Sequence, residues 1–159
     1  MNTLEKLLDI IHGGYVTALF QPIVSTVQQR IIGYEALSRG PSNSSLHSPM
    51  VLFAAARQHG KLTELEMLCR QKAVEGFSRQ RLPGKLFLNV SPESLLEQQH
   101  YPGRTLKMLE AAGMSPEQVV IELTEQAQID NFGLLYSALH HYRDMGFSIA
   151  LDDLGAGYS

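Results

Sequence analysis

Four apolar runs in this chain each finish on an oxygen side chain able to hold a cation. IIGYEALSRG carries Glu35, KLFLNVS carries Asn89, QVVIELTE carries Glu122, and FSIALDD carries Asp152 and Asp153. Buried strands rarely carry carboxylates, because an unpaired buried charge is costly. Four such runs in succession point to oxygens converging on something cationic. Three carboxylates and an amide oxygen are hard donors, suited to magnesium or manganese and less to zinc, since no His or Cys joins them. Asp153 follows directly and can reach a second ion. Two neighbouring ions are a standard means of in-line phosphoester hydrolysis. Arg39 adds a guanidinium that can clamp a phosphate in a fork.

For these oxygens to meet, the strands must present them on one face. Side chains alternate along a strand. Glu35 then shares a face with Ile31, Gly33, Leu37 and Arg39, and Asn89 shares one with Phe87. Glu122 goes with Val120 and Thr124, and Asp152 with Ser148 and Ala150. The alternate residues, such as Leu86, Leu88, Ile121 and Ile149, are left to meet helices. Singly, these oxygens have ordinary explanations: Asn89 or Asp153 satisfying backbone amides in a turn, Glu35 or Glu122 pairing with a buried arginine. Four on one face are harder to explain that way, because each unpaired buried carboxylate carries its own penalty.

The positioning elements follow from periodicity and breakers. Leu4, Leu7, Leu8 and Ile11 predict a helix over 3–12, stopped by Gly13-Gly14. Residues 17–24 read as a strand interrupted by Pro22, and 31–37 as the next. Their connection is only about seven residues, too short for a parallel crossover, so this pair should be antiparallel. Two helical patterns follow, PMVLFAAARQHG and LTELEMLCRQKAVEGFSRQ. Thr63, with Glu66 three residues on, fits a capping box for the second. Strands at 85–90, 118–124 and 147–152 then alternate with helices, one starting at Ser91-Pro92, one over RTLKMLEAAG and one at 132–145. That alternation predicts a parallel sheet covered by helices, with its chemistry at the C-terminal strand ends.

Composition narrows the class. The 159 residues are 44% hydrophobic and 18% charged, which suits one globular domain. The net charge of -3 gives no basic field for a nucleic-acid polymer. No apolar run approaches the roughly 18 residues of a membrane span, and the N-terminus lacks signal-peptide character, so the expected location is the cytoplasm. Cys69 is the single cysteine, which excludes an internal disulfide; its helical context suggests a small buried apolar residue. The six histidines show no metal-ligand spacing.

Taken in order, these residues resemble the EAL domain, the family of phosphodiesterases that cleave cyclic di-GMP. FQPIV at 20–24 is similar to its opening strand, and Glu35-Ala36-Leu37 followed by Arg39 is its signature. FLNVSP at 87–92, ELTE at 122–125 and DDLGAGYS at 152–159 match the next three motifs. The tripeptide alone carries no weight; five motifs in order are specific. The resemblance implies an α/β fold, a modified TIM (β/α)8 barrel with an antiparallel first strand, here truncated to about five strands. Residues 1–159 would be the N-terminal part of a single EAL barrel.

The resemblance further implies that Glu35, Asn89, Glu122 and Asp152 hold one Mg2+ or Mn2+ ion. Asp152 would bridge to a second ion that Asp153 also binds. Gln21, Leu37 and Arg39 would contact cyclic di-GMP, and the product would be the linear dinucleotide. The loop beginning at Asp153 would lead to a homodimer interface. The loop after Arg39 looks like that of proteins in which CBS and GGDEF domains follow the EAL domain. Ser38 and Leu154 depart from the usual family residues without removing a ligand. The family pattern continues with a lysine near the catalytic water, a glutamate for the second metal and a glutamine, all beyond Ser159. The expectation is therefore an isolated segment without hydrolytic activity, inside a parent phosphodiesterase. The alternatives are a non-catalytic cyclic di-GMP receptor and an unrelated barrel acting on another phosphorylated metabolite.

Overall fold

A computed structural model of the chain describes residues 1–97, 103–123 and 132–151. Asp152 and Asp153 lie outside the described residues, as does Thr124. Among the described residues, five strands form one sheet in sequence order. They are β1 (Thr17–Ser25), β2 (Arg30–Arg39), β3 (Lys85–Val90), β4 (Val119–Leu123) and β5 (Ser148–Leu151). The helices are α1 (Thr3–Gly13), α2 (Pro49–Gln58), α3 (Leu62–Arg79), α4 (Pro92–Glu97), α5 (Arg104–Ala111) and α6 (Phe132–Asp144).

β1 and β2 pair antiparallel, and every later neighbour pairs parallel. The short link between the first two strands dictates this, as expected. Pro22 does not interrupt β1; it sits inside the strand opposite Tyr34. An edge strand tolerates a proline because it needs no ladder donor on its open side. Where β2 first meets β3, Gly33 lies opposite Lys85. A Cβ there would stand 2.3 Å from the Lys85 carbonyl oxygen, so the close approach of the two strands requires glycine.

The sheet's helix-facing side is the main core. Leu86, Leu88, Val90, Val119, Ile121 and Leu123 are none of them more than 3% exposed. They pack with Val74 and Phe77 of α3, Leu95 of α4, Leu109 of α5 and Leu135 of α6. Burial of each such side chain is worth roughly 1.5–3 kcal/mol. A second cluster joins α1, α2 and α3 through Leu7, Ile10, Leu52, Leu65 and Cys69. The Asn2 side chain accepts the Glu5 N–H at 2.8 Å to cap α1, and Gly14 ends the helix at φ 70.

One local expectation fails. Thr63 does not cap α3: the cap position is Lys61, with no side-chain hydrogen bond. Thr63 lies inside the helix, where its hydroxyl donates to the Glu97 carboxylate. Glu66 points inward instead of back along its own helix. Its position on the stripe of Leu62, Leu65 and Cys69 makes it part of the buried face.

Candidate functional site

Strand register decides which side chains share a face. Gln21 lies opposite Glu35 across β1 and β2. Glu35 lies opposite Phe87, two residues before Asn89 on the same face of β3. Asn89 lies opposite Glu122, and Glu122 opposite Ala150. Residues in register point the same way, with Cβ atoms about 4.5–5.5 Å apart. Gln21, Glu35, Asn89 and Glu122 therefore line one face, turned away from the helices. Leu37 and Arg39 continue that face along β2. Apolar alternation forces this choice: the other face is filled by the leucine and valine core.

Glu35, Leu37, Arg39 and Glu122 are half-buried, while Gln21 and Asn89 are exposed. Oε1 of Glu122 is shielded from solvent. Arg39 donates from Nη1 to the Ser38 carbonyl at 2.9 Å, which folds its guanidinium over the end of β2. Among the described residues, no three His, Cys, Asp or Glu side chains stand close enough to hold a metal ion. Two of the predicted carboxylates and the amide are described, and their hard oxygens on one face suit a divalent cation.

A cavity of about 210 Å³ opens at the C-terminal ends of β2 and β3, against α2 and α3. At the strand ends it is lined by residues of both sheet faces, Leu88 and Val90 as well as Leu37, Arg39 and Asn89, and on the helix side by Arg57, Glu66 and Arg70. It joins residues predicted to contact substrate with one predicted to hold metal. Arg57 forks onto Glu93 of α4, with both contacts at 3.2 Å. That hydrogen bond raises the Arg57 pKa. Deeper in, Glu66 is 7% exposed and Arg70 is 3% exposed. Burial pushes the Glu66 carboxyl up, opposed by its bonds to Ser91, the charge of Arg70 and a bond to Ser94. Burial also pushes the Cys69 thiol up to about 11, against a hydrogen bond with Ser38. A thiol so held is not a nucleophile at neutral pH.

Sequence reasoning missed Glu66, Arg57 and Arg70 as neighbours of the site. The available signal was a glutamate on an otherwise apolar helical stripe, masked by its resemblance to a capping box.

Fold and face together define an α/β protein of TIM-barrel type, with oxygen side chains of neighbouring strands on one face of its sheet. The sequence profile of the EAL domain family matches residues 4–159, and the chain belongs to that family. It is 30% identical to the probable cyclic di-GMP phosphodiesterase PdeB of Escherichia coli, across 98% of this chain and 30% of PdeB. It is 26% identical to the blue light- and temperature-regulated antirepressor BluF of the same organism, across 88% of this chain and 34% of BluF. Among solved structures it is similar to Klebsiella pneumoniae BlrP1 in a calcium and cyclic di-GMP complex. That match has 32% identity and a TM-score of 0.76, across 92% of this chain and 36% of the other. BlrP1 is also known in a manganese and cyclic di-GMP complex. The chain spans about a third of the length of these curated relatives.

Proposed function

We propose that this chain supplies the metal-binding half of a cyclic di-GMP phosphodiesterase site. The observation that carries the reading is the register placing Gln21, Glu35, Asn89 and Glu122 on one sheet face, clear of the core. Its similarity to PdeB and to the BlrP1 complexes supports the choice of nucleotide and of a divalent cation. Glu35, Asn89, Glu122 and Asp152 would hold one Mg2+ or Mn2+ ion, with Asp152 and Asp153 reaching a second. Ions bound there supply Lewis-acid charge and a water of lowered pKa.

The chain's own residues do the rest. Arg39, one of the residues lining the cavity, offers a guanidinium to a phosphate. Leu37 gives an apolar wall beside it, and the Gln21 amide stands next to Glu35 for hydrogen bonding. In this reading the whole chain belongs to a single barrel domain. Dimerisation through the loop that begins at Asp153 and companion CBS or GGDEF domains are further parts of it; the greater length of the relatives leaves room for further domains. Among the described residues no helix is long and apolar enough to cross a membrane, which is compatible with a cytoplasmic site of action.

The test is chromatography of cyclic di-GMP incubated with the protein that carries this chain, with Mg2+ and with Mn2+. The expected product is the linear dinucleotide, lost in Glu35→Gln. Nucleotide binding without turnover in either metal would overturn the reading. It would favour the second one, a receptor that binds cyclic di-GMP and signals without cleaving it. The similarity to BluF, an antirepressor by name, keeps that alternative in view.

A further inference from the structure

Glu66 lies on α3, a different element from any predicted ligand, yet it reaches the end of the strand that carries Asn89. Its Oε1 accepts the backbone N–H of Ser91 at 3.0 Å. Ser91 is two residues past Asn89 and 6% exposed. The parallel ladder to β4 runs through Val90, opposite Leu123, so this N–H sits where β3 leaves the sheet. A buried N–H must find an acceptor, and here a side chain provides it. The same residue starts the next element, because the Ser91 Oγ accepts the Ser94 N–H at 3.1 Å at the head of α4.

Glu66 is anchored in turn. Arg70 stands one turn along α3, and its charge acts on the Glu66 carboxylate. Nη1 of Arg70 donates to the Thr105 hydroxyl at 2.7 Å, and Thr105 on α5 is 3% exposed. A chain of buried polar groups thus runs from α5 through α3 to the exit of β3. Burying charged groups is not an efficient way to stabilise a fold; apolar residues of similar volume often do as well or better. What this network supplies that leucine or methionine cannot is a directional hold on one backbone amide.

We propose that Glu66 is a positioning residue for Asn89: by holding the Ser91 N–H, it fixes the strand exit and so the place of the Asn89 amide oxygen on the metal-binding face. The inference rests on the metal reading given above. It requires that the acceptor oxygen matter more than the charge. Glu66→Gln keeps an acceptor in the same place and should be tolerated. Glu66→Met removes it at similar volume. Glu66→Met/Arg70→Met also removes the charge that the single variant would leave buried, and so guards against simple misfolding.

The experiment measures Mn2+ affinity by the electron paramagnetic resonance signal of the free ion. It is run beside amide exchange of Ser91 and the side-chain amide resonances of Asn89, with thermal unfolding as the control. Glu35→Gln is the reference for the metal site. The expected result is Mn2+ affinity lower by roughly 10- to 100-fold in both methionine variants, the usual range for groups that orient a ligand, with Glu66→Gln close to wild type. The Ser91 amide loses protection and the Asn89 resonances shift in the methionine variants, while the double variant still unfolds cooperatively. Unchanged Asn89 resonances and Ser91 exchange in a folded methionine variant would overturn the proposal. So would a loss in Glu66→Gln as large as in the methionine variants, which would make the charge the active feature. If wild type binds no Mn2+, or Glu35→Gln binds it equally well, the metal reading fails. The positioning claim is then decided by the Ser91 and Asn89 signals alone.

Discussion

Ile121 and Glu122 are neighbours on β4 that the sheet sends in opposite directions, so truncating each separates core from site. Ile121 is 0% exposed and packed within the main core. Ile121→Ala removes buried methylene and methyl groups and leaves a cavity under helices held by many other contacts. The expected cost is about 2–5 kcal/mol, a large fraction of a typical domain's stability of roughly 5–15 kcal/mol. Glu122 faces the other way, half-buried, in register with Asn89. Glu122→Ala leaves the core intact and removes one of the two carboxylates, with Glu35, that the described residues place on this face. Its expected cost is about 1 kcal/mol or less. Urea unfolding of the two variants, compared at equal slope, reads both numbers, and Mn2+ titration reads the site. Ile121→Ala should keep its affinity while it remains folded, and Glu122→Ala should lose it. A Glu122→Ala cost matching that of Ile121→Ala would refute the reasoning, since it would make Glu122 a structural residue.

Three further outcomes are expected. Gly33→Ala should destabilise by about 1–3 kcal/mol in chemical unfolding, because its Cβ would press on backbone at 2.3 Å instead of on a flexible side chain. The Glu66 carboxyl is raised above its ordinary value of 4.5, so the folded state holds that proton more tightly than the unfolded chain does. Its contribution to stability is full below that ordinary value and is lost as pH rises through the raised folded pKa. Glu66→Gln should accordingly gain stability relative to wild type as pH rises above about 4.5 through the raised folded pKa, and pH-dependent urea unfolding would detect it. A flat difference across that range would contradict the shift. Cys69 should react with a disulfide reagent at pH 8 only as fast as the chain unfolds, given a thiol pKa pushed to about 11. Rapid native labelling would show the thiol to be open.

Much of this fold could be read from local pattern. A link too short for a crossover dictated the antiparallel first pair. Period-two alternation assigned Leu88 and Ile121 to the helices and Asn89 and Glu122 to the other face, and the register agrees. Serine then proline at 91 and 92 marked the start of α4. What local pattern could not show is contact between distant segments. Threonine followed by glutamate at 63 and 66 satisfies the pattern of a capping box, yet the glutamate's partner is an amide twenty-five residues on. Nothing near Glu66 in sequence reveals that partner; only the packing of α3 beneath the exit of β3 does. Arg70 escaped notice for the same reason, since an arginine on a helix is usually solvated. The cavity that gathers Arg39, Asn89 and Glu66 depends on the spacing of α2 and α3 above the sheet, which periodicity does not encode.

The most direct test of the central claim is anomalous diffraction at the manganese absorption edge, from crystals of the protein carrying this chain grown with Mn2+ and cyclic di-GMP. The account predicts a peak bonded by oxygens of Glu35, Asn89 and Glu122, with the nucleotide phosphate beside Arg39. A peak elsewhere, on histidines for example, or nucleotide bound with no ion on that face, would contradict it.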